Sequence, residues 1–166
     1  MTNPPDPGRP LVLGLGNVLM GDEGIGILAA RRLAENGDLT ARADVVDGGT
    51  GGFQLLGMFQ DHPRLILVDA AMDGRPPGTV TLLRPRFASD FPKSLSAHDI
   101  GLRDLIEAAA MLGPLPPIDL VTVSITDLQS VSLDVSLPVR AALPEIEALV
   151  RRLLDRAGGS RTEPES

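Results

Sequence analysis

The sequence predicts a three-layer α/β/α domain built on a mostly parallel, twisted sheet of about five strands, one of them antiparallel. Three observations carry that expectation. Short apolar runs at 12–15, 43–46, 65–68 and 120–125 have strand length and are bounded by turn residues. The stretches between them place apolar residues three and four apart, the period of a half-buried helix. The connections are short, as packed successive elements require, and nothing repeats at solenoid spacing.

Residues 1–10 hold four prolines and few apolar groups, so they are expected to form a flexible leader to a domain spanning 11–155. The polar stretch 156–166 is expected to be a flexible tail. The run at 12–15 reads as a strand covered on both faces. Gly14, Gly16 and Gly21 then permit a tight loop, and Asp22 is placed to cap a helix with a buried stripe of Ile25, Leu28, Ala29 and Leu33. Glu23 falls in the first turn of that helix, facing the strand end. The second strand, 43–46, ends in Asp47-Gly48-Gly49-Thr50, and Phe53, Leu55, Leu56 and Phe59 suit a short helix.

The run at 65–68 is the clearest central strand and ends at Asp69. His62, beside Pro63, is expected on a solvated turn. The glycine-proline turn at 74–78 leads into a strand at 79–83. Its connection is shorter than the dozen residues a helical crossover needs, which predicts an antiparallel strand. An irregular segment follows at 84–97. Ser96-Ala97-His98-Asp99 has the spacing of a capping box, ahead of a helix burying Leu102, Leu105, Ile106 and Ala109. His98 would sit in its first turn, where the helix dipole favours the neutral, metal-binding imidazole. The strand at 120–125 alternates Leu and Val with Thr and Ser. In the last helix Val139, Leu143, Ile146, Val150 and Leu153 share one face, and Pro144 either kinks it or starts it.

Bulk composition narrows the function. A chain of 166 residues fits one domain. Its formal charge of −7 offers little to a phosphate backbone, and an aromatic content of 2%, without Trp or Tyr, leaves few platforms for stacking bases. The absence of cysteine removes disulfides, thiolate metal sites and cysteine nucleophiles, and fits a cytoplasmic protein. No segment offers about 18 uninterrupted apolar residues, so no direct membrane association is expected.

The glycine-rich opening invites a dinucleotide-binding reading, but Leu19 stands where the third glycine belongs and Glu23 would repel a pyrophosphate at the helix N-terminus. There is no HExxH motif and no G-x-S-x-G elbow. An aspartic dyad drawn from Asp22, Asp47 or Asp69 is conceivable, though no spacing demonstrates it. The sharper expectation is a mixed oxygen and nitrogen site for a divalent metal, made by Glu23, Asp69 and His98 at one sheet edge. Each also has a plain structural role available, as a first-turn acid, a turn cap and an exposed helix residue. Asn17, Asp22, Asp47 and Thr50 border the same crevice as substrate-cleft candidates.

The run Gly14-Leu15-Gly16-Asn17-Val18-Leu19-Met20-Gly21-Asp22-Glu23-Gly24-Ile25-Gly26 closely resembles the opening motif of the nickel-iron hydrogenase maturation endopeptidases. The resemblance continues through Asp47-Gly48-Gly49-Thr50, Leu67-Val68-Asp69-Ala70 and Ser96-Ala97-His98-Asp99-Ile100-Gly101-Leu102, and covers roughly 11–155. It implies an endopeptidase, of aspartyl type by classification, that removes a C-terminal peptide from the hydrogenase large-subunit precursor after nickel insertion. Glu23, Asp69 and His98 fall on the family's metal-contacting positions, which implies that they carry catalysis by recognising nickel held in the precursor rather than a resident cofactor. A cytoplasmic monomer whose partner is that precursor, without nucleic acid, is the resulting expectation. The segments 123–128 and 132–138 depart from the family's wording, which bears on partner specificity. The alternative from another class is a non-catalytic chaperone that binds the metallocentre on the same scaffold. A nucleotide-binding oxidoreductase is weaker.

Overall fold

The computed structural model describes residues 8–49, 55–92, 102–126 and 131–158. Among these, five strands form one sheet: β1 (Leu11–Leu15), β2 (Asp44–Gly49), β3 (Leu65–Ala71), β4 (Val80–Leu83) and β5 (Ile118–Ser124). Their spatial order is β2-β1-β3-β5-β4. All neighbours run parallel except β4, which is antiparallel to β5. The expected three-layer architecture with its antiparallel strand is therefore present. The strand after the 74–78 turn does not pair with its predecessor. Instead β5 inserts between β3 and β4, with Val68 opposite Val121 on one side and Leu82 opposite Val121 on the other.

Alternation along the central strands builds two cores. Val12, Ile66, Val68, Ala70, Val121 and Val123 point to one face. There they meet α1 (Ile25–Ala34), α2 (Gly37–Thr40), α5 (Leu137–Arg140) and α6 (Leu143–Gly158) through Ile25, Leu33, Leu39, Val139, Ile146 and Val150. Leu11, Leu13, Leu65, Leu67, Ile118 and Leu120 point to the other face. They meet α3 (Leu56–Gln60) and α4 (Leu102–Leu112) through Phe59, Leu102, Leu105, Ile106 and Ala109. Each of these fully covered aliphatic side chains contributes about 1.5–3 kcal/mol by leaving water, which is how a core with almost no aromatic rings is held.

Several boundaries differ from the periodicity. β3 continues past Val68, so Asp69 lies inside a strand and not at its end. The last helical region is two helices. Pro144 sits in the first turn of α6, where its missing N–H costs nothing, and therefore starts the main helix. His62 is buried, contrary to the expected solvated turn. Its Nδ1 lies 2.8 Å from Met58 O and its Nε2 lies 2.9 Å from Asp44 Oδ2, so the ring joins the end of α3 to the start of β2. The Arg9 guanidinium bonds to the carbonyls of Thr40 and Ala43 and closes the α2–β2 corner. Among the described residues no helix is long and apolar enough to cross a membrane.

The order of the sheet dictates where a site can form. From β1 the chain crosses by α1 on one face to β2, then by α3 on the other face to β3, on the opposite side of β1. Because the sheet grows from β1 in both directions, a crevice opens outside the carboxyl ends of β1 and β3.

Candidate active site

That crevice carries two buried acids. β1 leads into a loop and a single 3-10 turn, Gly21–Gly24, that holds Glu23 at 2% exposure. The loop closes on its own backbone. Asn17 N donates to Glu23 O at 3.1 Å, Met20 N to Asn17 O at 3.1 Å, and Glu23 N to Met20 O at 3.2 Å. Gly21 takes a φ of 56°, a left-handed geometry that a side chain would strain. Asp69 is fully buried on β3, where its Oδ1 accepts the Ala70 N–H at 2.8 Å. The turn that carries Glu23 packs on β3, the strand that carries Asp69.

Close backbone approach makes this contact possible. A Cβ on Gly26 would lie 2.1 Å from Leu15 O and 2.4 Å from Val68 O, and one on Gly14 would lie 2.1 Å from Gly26 O. Helix α1 therefore rests on the backbones of β1 and β3 immediately before Asp69, with no side chain between them.

The other expected members divide. His98 and Thr50 lie outside the described residues. Asn17 shapes the loop, its Oδ1 accepting Leu19 N at 3.0 Å. Asp47 is occupied locally, accepting Gly49 N at 3.0 Å and pairing with Arg31 Nε at 3.0 Å. Asp22 is not a helix cap: the turn and α1 have no side-chain cap bond at their N-termini. Its carboxylate reaches across the chain to Ser136, accepting the backbone N–H at 2.6 Å and the hydroxyl at 2.8 Å. A cap would have held one helix, whereas this contact fastens the segment 131–136 to the site loop.

Two further residues belong to the floor of the site by position. Thr122 pairs with Asp69 and Ser124 with Ala71, so on the alternating strands both share Asp69's face. Both are buried, and Ser124 Oγ has no hydrogen-bond partner among the described residues. The alternation of Thr and Ser with Val in β5 was the available signal for them. Among the described residues no group of three histidine or acidic side chains is placed to hold a metal ion.

A cavity of about 540 Å³ lies elsewhere, at the amino ends of β3 and β5. Buried Asp119 occupies its wall and takes Arg64 Nε and Arg84 Nε on different oxygens, each at 3.1 Å. Arg64 Nη1 also donates to Leu153 O at 2.6 Å, which makes this cluster a tie between sheet and α6.

Comparison with known proteins agrees with the geometry. Residues 27–153 match the family described as hydrogenase maturation protease. The chain is 35% identical over 156 residues to the hydrogenase expression/formation protein HupD of Rhizobium leguminosarum bv. viciae, covering 90% of this chain and 76% of that one. It is 40% identical over 112 residues to HupD of Rhodobacter capsulatus, covering 66% of this chain and 53%, about half, of that relative. The hydrogenase maturating endopeptidase HybD from E. coli superposes with a TM-score of 0.77 at 30% identity, over 90% of this chain and 94% of its own.

Proposed function

Because this chain belongs to the hydrogenase maturation protease family, we propose that it is the endopeptidase that removes the C-terminal extension of a nickel-loaded [NiFe] hydrogenase large-subunit precursor. The observation that carries this reading is the pair of buried acids, Glu23 and Asp69, on elements in direct contact at the sheet's switch point. Carboxylate oxygens together with an imidazole nitrogen make a donor set suited to a divalent metal. A divalent nickel presented by the precursor is what this pair contacts, with His98 as the nitrogen donor of the set. Glu23, Asp69 and His98 thereby act as the catalytic and metal-contacting residues, and nickel is part of the substrate rather than a resident cofactor.

In this reading metal loading licenses the cut. Docking on nickel fixes the scissile bond against the Glu23 loop, converting a search in solution into a held geometry. Water then adds to the peptide carbonyl, assisted by a carboxylate of the site. The C–N bond breaks, and the departing amine takes the proton that water gave up. The protein acts as a monomer in the cytoplasm, where its precursor is made, through the domain 11–155.

The test mixes purified protein with apo and nickel-loaded precursor and follows product mass and cut position. Cleavage of the loaded form alone is expected. Glu23→Gln, Asp69→Asn and His98→Ala should each abolish or sharply reduce it, and normal rates in all three would sink the assignment. Nickel-dependent association without a shortened product would identify a metallocentre chaperone instead.

A further inference from the structure

The segment 131–136 lies beside the Glu23 loop in a fixed register. Met20 and Ser132 form a parallel bridge, in which Ser132 N donates to Leu19 O at 2.9 Å and Gly21 N to Ser132 O at 2.8 Å. Leu19 and Gly21 flank Met20, and Val131 and Leu133 flank Ser132, on the two sides of this bridge. Three of these side chains are apolar and exposed: Leu19 by 56%, Val131 by 82% and Leu133 by 75%. Gly21, which has no side chain, and Leu133 both line a pocket of about 290 Å³.

We propose that this pocket, bounded by Gly21, Gly24, Leu28, Leu133, Val135 and Arg140, is a subsite for the precursor's C-terminal extension. It takes one apolar side chain, and Arg140 takes a carboxylate close to it in sequence. The inference rests on the endopeptidase reading above and names what that site selects.

Three features fix the occupant. The volume is at the lower end of small-molecule sites, the size of a large side chain with its backbone. The pocket adjoins the Glu23 turn, because Gly21 and Gly24, the two ends of that turn, line it, which places it within reach of a chain bound at Glu23. Its charge is also selective. Arg31 on the rim is held by Asp47 at 3.0 Å, whereas the exposed Arg140 guanidinium has no ion-pair partner among the described residues. An anionic group arriving with the substrate completes it.

The Asp22–Ser136 contact keeps the subsite in place. It joins the outer wall of the pocket to the loop that forms its inner wall, so the distance from subsite to Glu23 is set by the fold before substrate arrives.

The experiment is steady-state processing of nickel-loaded precursor by the full-length protein and by Leu133→Asp, Leu133→Met and Arg140→Glu. One apolar contact of this kind is worth about 10–200-fold, so Leu133→Asp should raise KM at least about tenfold with kcat unchanged, while Leu133→Met stays near the parent. Arg140→Glu should raise KM likewise. KM values for Leu133→Asp and Arg140→Glu that stay within about twofold of the parent would overturn the subsite. So would concentration-dependent dimerisation that Leu133→Asp abolishes without moving KM, since a second copy would then own the face. An unmodified protein that leaves the precursor mass unchanged removes the endopeptidase reading itself, an outcome distinct from a subsite variant that cuts with normal KM.

Discussion

Asp22 and Ser136 are 114 residues apart in the chain, yet the Asp22 carboxylate accepts both the backbone N–H of Ser136 and its hydroxyl. Hydrogen bonds to a charged group are worth about 1.5–3 kcal/mol each. Asp22→Ala leaves both donors without their acceptor and should lower stability by about 2–3 kcal/mol, whereas Ser136→Ala loses one donor and should cost about 1 kcal/mol. Urea unfolding followed by circular dichroism measures both. Equal losses would mean that the hydroxyl carries the whole contact.

The close approach of α1 to the sheet makes a second prediction. A methyl group at Gly26 meets two backbone carbonyl oxygens, Leu15 O and Val68 O, and neither can move without parting the helix from β1 and β3. Overpacking of this kind costs about 1–3 kcal/mol and more where backbone must shift. Gly26→Ala should therefore lose at least about 3 kcal/mol, while Gly57→Ala, whose Cβ meets nothing within 4 Å and which lies inside α3, should gain up to about 1 kcal/mol from helix propensity. A Gly26→Ala protein with the parent midpoint would show that the contact is looser than the structure has it.

The reach of the sequence follows from how local each cause is. Strand alternation and helical spacing are local, so the layers, the antiparallel strand and the buried stripes of α4 and α6 could be read directly. That the turn carrying Glu23 would pack on the strand carrying Asp69 could be inferred because α/β topology gathers strand ends at one edge. The role of Asp22 could not, since an acid before a helix looks like a cap and its true partner is remote in sequence. His62 failed for the same reason: a His-Pro turn reads as solvated unless Asp44, on another element, is known to face the ring.

His62 supplies the third prediction. Both ring nitrogens face oxygens, Met58 O and Asp44 Oδ2, in a buried position. His62→Ala removes the ring and leaves both oxygens unmatched, which should cost about 2–4 kcal/mol from cavity and lost hydrogen bonds together. Thermal unfolding measures the loss. A His62→Ala protein as stable as the parent would return His62 to the solvated role that its sequence neighbours suggest.

Ser124 gives a prediction of opposite sign. Its hydroxyl is buried on Asp69's face without a partner among the described residues, so the folded state bears the cost of removing it from water. Ser124→Ala keeps the backbone bonds that Ser124 makes to Thr79 and Gly78 and discards only the unpaired group. Stability should stay level or rise by up to about 1 kcal/mol, against the usual direction for a change in a central strand. If processing of nickel-loaded precursor falls while stability rises, the hydroxyl is held unpaired for the substrate. If stability falls by about 1 kcal/mol or more, the hydroxyl has a partner in the folded protein.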